Sequence, residues 1–262
     1  MFVFKTPISL TDFRSGSPLE FFTMNRFTSL FVFLSILMLQ TTVGADIVME
    51  GFDDISTLPA AGWVEQNNSF SPDGTYFQGN DTVFPAQAGA DTSYVAVNFN
   101  SISAGGGNGT ISNWLITPSH TFVNGNTFSF WTRRPEGSTF PDRLELRFSA
   151  NGSSTDVGSG PNDVGDFTNL LLTVNPSLNN TDYPDVWTQY TTTLSGLSGR
   201  TDGRFAFRYF VDDGGPLGSN SDYIGIDTVE FETAGVPEPG STIAILGTLV
   251  SLCLSRRRRH TC

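Results

Sequence analysis

Arg143-Leu144-Glu145-Leu146-Arg147-Phe148 is the clearest stretch of patterning in this 262-residue chain. Its apolar and charged residues alternate with a period of two. An extended backbone therefore puts Leu144, Leu146 and Phe148 on one face and Arg143, Glu145 and Arg147 on the other, in solvent. A second stretch, Phe205-Ala206-Phe207-Arg208-Tyr209-Phe210, is apolar on both faces, as a central strand beneath a second layer would be. Outward from these two, runs rich in Phe, Val, Ile, Thr and Tyr recur between clusters of Gly, Asn, Asp, Ser and Pro, and helical periodicity is nearly absent. The pattern predicts strands near residues 47–52, 93–99, 111–117, 127–133, 143–150, 169–174, 186–194, 204–211 and 223–232. Such antiparallel strands with long irregular loops predict an all-β, jelly-roll-like β-sandwich over residues 46–235.

Charge and residue usage narrow the chemistry. Residues 46–235 hold seven arginines, no lysine and 23 acids, a balance of −16 against −12 for the whole chain. That surface repels phosphate backbones and excludes a nucleic-acid partner. Both cysteines, Cys253 and Cys262, lie outside the region, which has no disulfide, thiolate nucleophile or Cys-based zinc site. Its one histidine, His120, stands outside any nucleophile-elbow sequence and gives a Ser-His-Asp triad no support. One histidine is also too few for a His-based transition-metal site. The acids offer many carboxylate pairs, but no Glu-x-Asp-x-x-Glu strand motif occurs among them. The chain is expected not to be an enzyme.

The two ends read as addresses. From Met24 a single Arg26 precedes the apolar run 30–39, followed by Val43-Gly44-Ala45 before Asp46. That is the pattern of a secretory signal peptide cleaved between Ala45 and Asp46. Asp12 and Glu20 do not suit a basic leader, so Met24 is the expected start and residues 1–45 the signal region. At the other end stand Pro237-Glu238-Pro239, an apolar run over 243–254 and the cluster Arg256, Arg257, Arg258 and Arg259. The run predicts a short single transmembrane helix with the arginines on the cytoplasmic side. Residues 236–262 closely resemble the PEP-CTERM sorting signal of Gram-negative bacteria. The resemblance implies an exosortase partner that removes the tail, transient membrane anchoring, and delivery to the cell surface or extracellular matrix. The trailing His260-Thr261-Cys262 departs from that pattern.

Four spaced motifs carry a second resemblance: Phe52-Asp53-Asp54 with Leu58-Pro59-Ala60-Ala61-Gly62-Trp63, then Asn113-Trp114-Leu115-Ile116-Thr117-Pro118, Phe140-Pro141-Asp142-Arg143-Leu144-Glu145, and Tyr223-Ile224-Gly225-Ile226-Asp227-Thr228-Val229. Together they look like the choice-of-anchor J domain, related to cleaved-adhesin modules. The resemblance covers roughly residues 50–232 and implies an exported β-sandwich with no known ligand.

Asp227 is the most informative acid, because a carboxylate in a mostly apolar strand needs a cation or several hydrogen bonds. Related jelly-roll modules place a structural calcium between an acid near the first strand and one in the last, which nominates Asp53 or Asp54 with Asp227. The alternatives are pairing with an arginine such as Arg143 or Arg208, or a hydrogen-bonded strand-end aspartate. The acid-rich loops at 163–166 and 212–215 lack EF-hand spacing and read as turns. Of four tryptophans, Trp131 and Trp114 read as core, while Trp63 and Trp187 are the candidate glycan platforms, set against core or edge packing, which is the first reading for each. The resulting expectation is a non-enzymatic surface or matrix protein with a structural or adhesive role in exopolysaccharide or biofilm. A carbohydrate-binding module and a cryptic glycan hydrolase are the alternatives.

Overall fold

The computed structural model describes residues 46–235. The signal region 1–45 and the tail 236–262, with Pro237, Glu238, Pro239 and Arg256 to Arg259, lie outside the described residues. Twelve strands are described: β1 (Asp46–Glu50), β2 (Val64–Asn67), β3 (Phe77–Gln78), β4 (Val95–Asn98), β5 (Gly109–Ile116), β6 (His120–Phe122), β7 (Thr127–Arg133), β8 (Leu144–Ser149), β9 (Asn169–Val174), β10 (Thr188–Thr193), β11 (Thr201–Gly214) and β12 (Tyr223–Thr233). They form two antiparallel sheets. The first runs β10-β7-β12-β4-β3 with β1 also on β12, and the second runs β2-β5-β11-β8-β9 with β6 on β11. The expected two-sheet β architecture is present. Strands β2, β3 and β6 were not predicted, being two to four residues long and too short to show alternation. No helix among the described residues is long and apolar enough to cross a membrane.

The inner faces follow the period-two rule. Leu144, Leu146 and Phe148 are fully buried in one core with Phe128, Phe130, Phe205, Phe207 and Phe231. Rings from opposite sheets meet edge-on or tilted, with centroids 4.5 Å apart for Phe128–Phe205 and 4.9 Å for Phe130–Phe207. Pairs of this kind add about 1 kcal/mol each beyond their buried area.

The outer faces depart from the expectation. Glu145 is only 6% exposed, because the loop 150–168 folds over the second sheet. Val157 and Phe167 of that loop pack on Trp114, Ile116 and Ala206, which point outward from β5 and β11. Arg208 lies under the same roof. Its guanidinium donates to Ser112 Oγ at 3.0 Å, Glu145 Oε2 at 3.2 Å and the Pro161 carbonyl. It also sits 3.7 Å from the Phe210 ring centroid. Burial lowers the Arg208 pKa to about 10, with the Glu145 carboxylate acting in the opposite direction. The residue is therefore still a cation at neutral pH. Arg147 bonds the same Glu145 oxygen at 2.7 Å and donates to the Phe167 carbonyl, so Glu145 and Arg147, read as solvent-facing, belong to a covered network that ties the roof to the sheet, while Arg143 pairs with the exposed Asp212.

Asp142, just before β8, is fully buried. Its Oδ1 accepts from the Tyr209 hydroxyl and from the Asp222 amide at 2.9 Å, while Oδ2 has no partner. Burial raises its pKa to about 7, against the pull of those two hydrogen bonds. An unfolded aspartate titrates near 4, so between about pH 4 and 7 the folded chain holds a proton that the unfolded chain has lost. This contribution to stability is therefore complete below about pH 4 and disappears as pH rises through 7. Asp142→Asn is expected to remove that pH dependence, whose slope reaches about 1.4 kcal/mol per pH unit at its steepest. Urea denaturation of both proteins from pH 4 to 8 checks it.

Candidate functional site

The outer face of the first sheet carries the residues of most interest. In β7, Phe128, Phe130 and Thr132 point into the core, so Ser129, Trp131 and Arg133 point out. Trp131 stands opposite Gln189 of β10 on one side and Asp227 of β12 on the other. Part of this face is roofed by the loop 79–93. Phe84 of that loop packs on Tyr94, Ala96 and Tyr223, with Trp187 against the cluster. The roof comes this low only because position 225 is glycine. A Cβ there would lie 2.9 Å from Phe84 and Tyr94 and 3.0 Å from Trp187.

Asp227 fastens the loop and is itself fully buried. Its Oδ2 accepts from the amides of Gln87 at 2.8 Å and Ala88 at 3.1 Å, and its Oδ1 from the amide and hydroxyl of Thr228. Burial pushes its carboxyl above the ordinary carboxylate range, opposed by the Ala88, Gln87 and Thr228 amides. The strand bulges here: register shifts between Asp227 and Glu230, and Thr228 has φ of 46°. For a β-branched residue that is a strained conformation. The neighbouring hydrogen bonds hold it in place.

Of the two acids nominated to meet Asp227, Asp53 comes to the same region, beside Ala88 and Thr228, and Asp54 does not. A cleft of about 220 Å³ is lined by Met49, Glu50, Gly51, Asp53, Ala88, Gly89 and Thr228. Asp54 instead caps a short 3₁₀ turn, its Oδ1 accepting from Ser56 N at 3.0 Å. Asp227 uses its acceptor positions on N–H and O–H donors, which compete with a cation for the same lone pairs. The described residues contain no cluster of three or more His, Cys, Asp or Glu placed to hold a metal. Arginine pairing is not observed either: the salt bridges among described residues join Arg143 to Asp212 and Arg147 and Arg208 to Glu145. Asp227 is the hydrogen-bonded strand aspartate of the third reading. Glu50 and Asp53 are the carboxylates left on the cleft.

The tryptophan assignments change as well. Trp63 is 5% exposed and packs edge-on to Phe52 at 5.6 Å in the central core, so it offers no ring face to a sugar. Trp187 is half-buried, its indole N–H donating to the Pro85 carbonyl at 2.9 Å and its ring wedged against Phe84 and Tyr94. It clamps the loop 79–93 to β10. Trp131, read as core, is the outward and half-buried one, and its indole N–H bonds no protein group among the described residues. Strict alternation through Phe128 and Phe130 carried the signal that Trp131 is out of phase. His120, in β6, packs against Phe122 and Phe231, and burial lowers its pKa, with Arg204 adding to the shift.

No protein-family model and no curated protein matches the sequence. Solved structures similar to it include two cleaved adhesin domains of Lys-gingipain from Porphyromonas gingivalis. They are 24% and 20% identical, each alignment covering 72% of this chain and 99% of the domain, with TM-scores of 0.49 and 0.45. The CBM22-1 xylan-binding domain from Paenibacillus barcinonensis Xyn10C is 14% identical over 75% of this chain and 100% of that domain, with a TM-score of 0.40.

Replacing Asp227 with alanine takes the shared acceptor from the part-buried amides of Gln87, Ala88 and Thr228, each bond to a carboxylate being worth about 1–3 kcal/mol. Asp227→Ala is expected to cost about 2–4 kcal/mol and to raise amide exchange across residues 80–93. The loss should be equal in calcium and in EDTA. A loss confined to calcium buffer would make Asp227 a metal ligand instead.

Proposed function

We propose that this chain is an exported, non-catalytic, adhesive β-sandwich that contacts extracellular polysaccharide through the outer face of its first sheet. One observation carries the reading: Trp131 is half-buried and points outward beside the polar side chains of Ser129, Gln189 and Thr191. Sugar rings stack their C–H faces on aromatic rings, while their hydroxyls need amide, hydroxyl and carboxylate partners beside the stack. This face supplies both. Calcium enters the reading only as a ligand of Glu50 and Asp53, the hard-oxygen donors open to the β1 cleft.

Delivery is part of the same proposal and rests on sequence pattern. The signal region ending at Ala45 takes the chain across the inner membrane. The tail of Pro237-Glu238-Pro239, apolar run and four arginines suits recognition by an exosortase, which would leave the choice-of-anchor J-like region at the surface or in the matrix. The net charge of −16 over residues 46–235 keeps such a protein soluble once released.

The full-length protein is expected to be retained on exopolysaccharide from its host without hydrolysing it. Trp131→Ala should weaken retention roughly tenfold, the loss of about 1.4 kcal/mol of stacking, at an unchanged melting temperature. Unchanged retention would remove this face from the proposal, and release of reducing ends would favour a hydrolase. Intact mass of the protein recovered from the host should place its ends near Asp46 and Pro237. A mass that includes residues 240–262 would sink the exosortase step.

A further inference from the structure

A second cleft, on a different part of the surface, has chemistry that the Trp131 face lacks. It measures about 210 Å³ and is lined by Phe99, Phe140, Gly215, Pro216, Gly218, Ser221 and Asp222. Since a liquid water occupies about 30 Å³, there is room for one sugar ring or a similar group. Phe140 is 46% exposed, and Leu217 between the two lining residues Pro216 and Gly218 is 74% exposed, so the rim is apolar and open.

The walls are held before any ligand arrives. The Phe99 amide donates to the Asp222 carbonyl at 3.1 Å, Ser221 N to the Pro141 carbonyl at 2.8 Å, and Gly218 N to the Gly215 carbonyl at 2.9 Å. The Asp222 amide is fixed to buried Asp142, and the Gly215 amide to Ser221 Oγ. A Cβ on Gly218 would fall 2.2 Å from the Asp213 carbonyl oxygen, so the turn cannot be built with a larger residue there. Within this fixed frame the partly exposed Asp222 carboxylate accepts no hydrogen bond and meets no arginine among the described residues. The neighbouring cation, Arg143, is already engaged by Asp212 at 2.8 Å and lies over the Phe210 ring.

Aromatic faces and an unpaired carboxylate together favour a cation, and the field of a region carrying −16 attracts one. A neutral sugar would use the rings and leave the charge uncompensated. We propose that this cleft binds a saccharide unit bearing a protonated amine, with the ammonium on Asp222 and the apolar ring face against Phe140 and Phe99. The inference takes its partner class from the polysaccharide reading but stands on other residues.

The test is calorimetric titration of the full-length protein with a glucosamine hexamer and with its fully N-acetylated counterpart. The deacetylated hexamer should bind at least tenfold tighter. Asp222→Asn should abolish that preference, and Phe140→Ala should weaken both ligands. Both side chains are partly exposed and Asp222 makes no side-chain hydrogen bond, so melting temperatures should hold. Equal binding of the two hexamers, no binding, or a preference that survives Asp222→Asn would overturn the proposal. So would displacement of the hexamer by an equimolar lysine-containing peptide, which would point to a protein partner. Because Trp131 lies on another face, exopolysaccharide retention can fail its own test while the amine preference holds, and the reverse.

Discussion

Each sheet of this sandwich has an apolar strip on its outer face as well as its inner one, and the structure depends on two long loops folding back to cover them. Trp114, Ile116 and Ala206 would otherwise face water on one side of the molecule, and Tyr94, Ala96 and Tyr223 on the other. Covering them brings polar groups into dry surroundings, where each must find a partner or cost about 1–3 kcal/mol. The loops are therefore fixed by charged latches. Arg208 and Glu145 hold the loop 150–168 through the Pro161 carbonyl, and Asp227 holds the loop 79–93 through the amides of Gln87 and Ala88.

The two latches differ in a way that physical chemistry explains. Arg208 points its guanidinium at a carbonyl and lies against aromatic rings, so it needs a carboxylate nearby and has Glu145. Asp227 meets N–H donors, whose partial positive charge stabilises the anion without any cation. This is why an acid that reads in the sequence as half of an ion pair meets no arginine in the observed geometry. The surface available for binding is then set by where the roofs stop. Trp187 is drawn beneath the loop 79–93 by its bond to Pro85, while Trp131, on the same face, is left open.

Much of the framework was legible in the residues. Thr127–Arg133 and Asn169–Val174 are predicted to the residue because each is a run of apolar and β-branched residues bounded by Gly, Asn, Asp, Ser or Pro clusters. The double-sided strand at Phe205–Phe210 correctly announced a covering layer. The same reasoning stops short at Glu145 and Arg147, since a charged face suggests solvent and only a distant loop, with Val157 and Phe167, shows otherwise. For Trp63 and Trp187 the sequence leaves packing and platform readings side by side for a related reason. A ring beside Gly62 or Thr188 looks exposed in isolation, and the segments that bury it, around Phe52 and around Phe84, are far away in sequence.

What the sequence determined by itself is local: period-two strands, the turn residues between them, the acidic balance, and the absence of thiols and of all but one histidine from residues 46–235. These follow from residue identity and spacing, which a chain carries before it folds. The tertiary structure alone decided which buried carboxylate meets amides, which meets an arginine, and which aromatic ring or acid is left for a ligand. Asp227 bonds residues 139 and 140 positions away, and Arg208 meets Glu145 across 63. Phe99, Phe140 and Asp222 line one cleft from three separate loops. Contacts over such separations depend on how the loops close, and no local pattern encodes that.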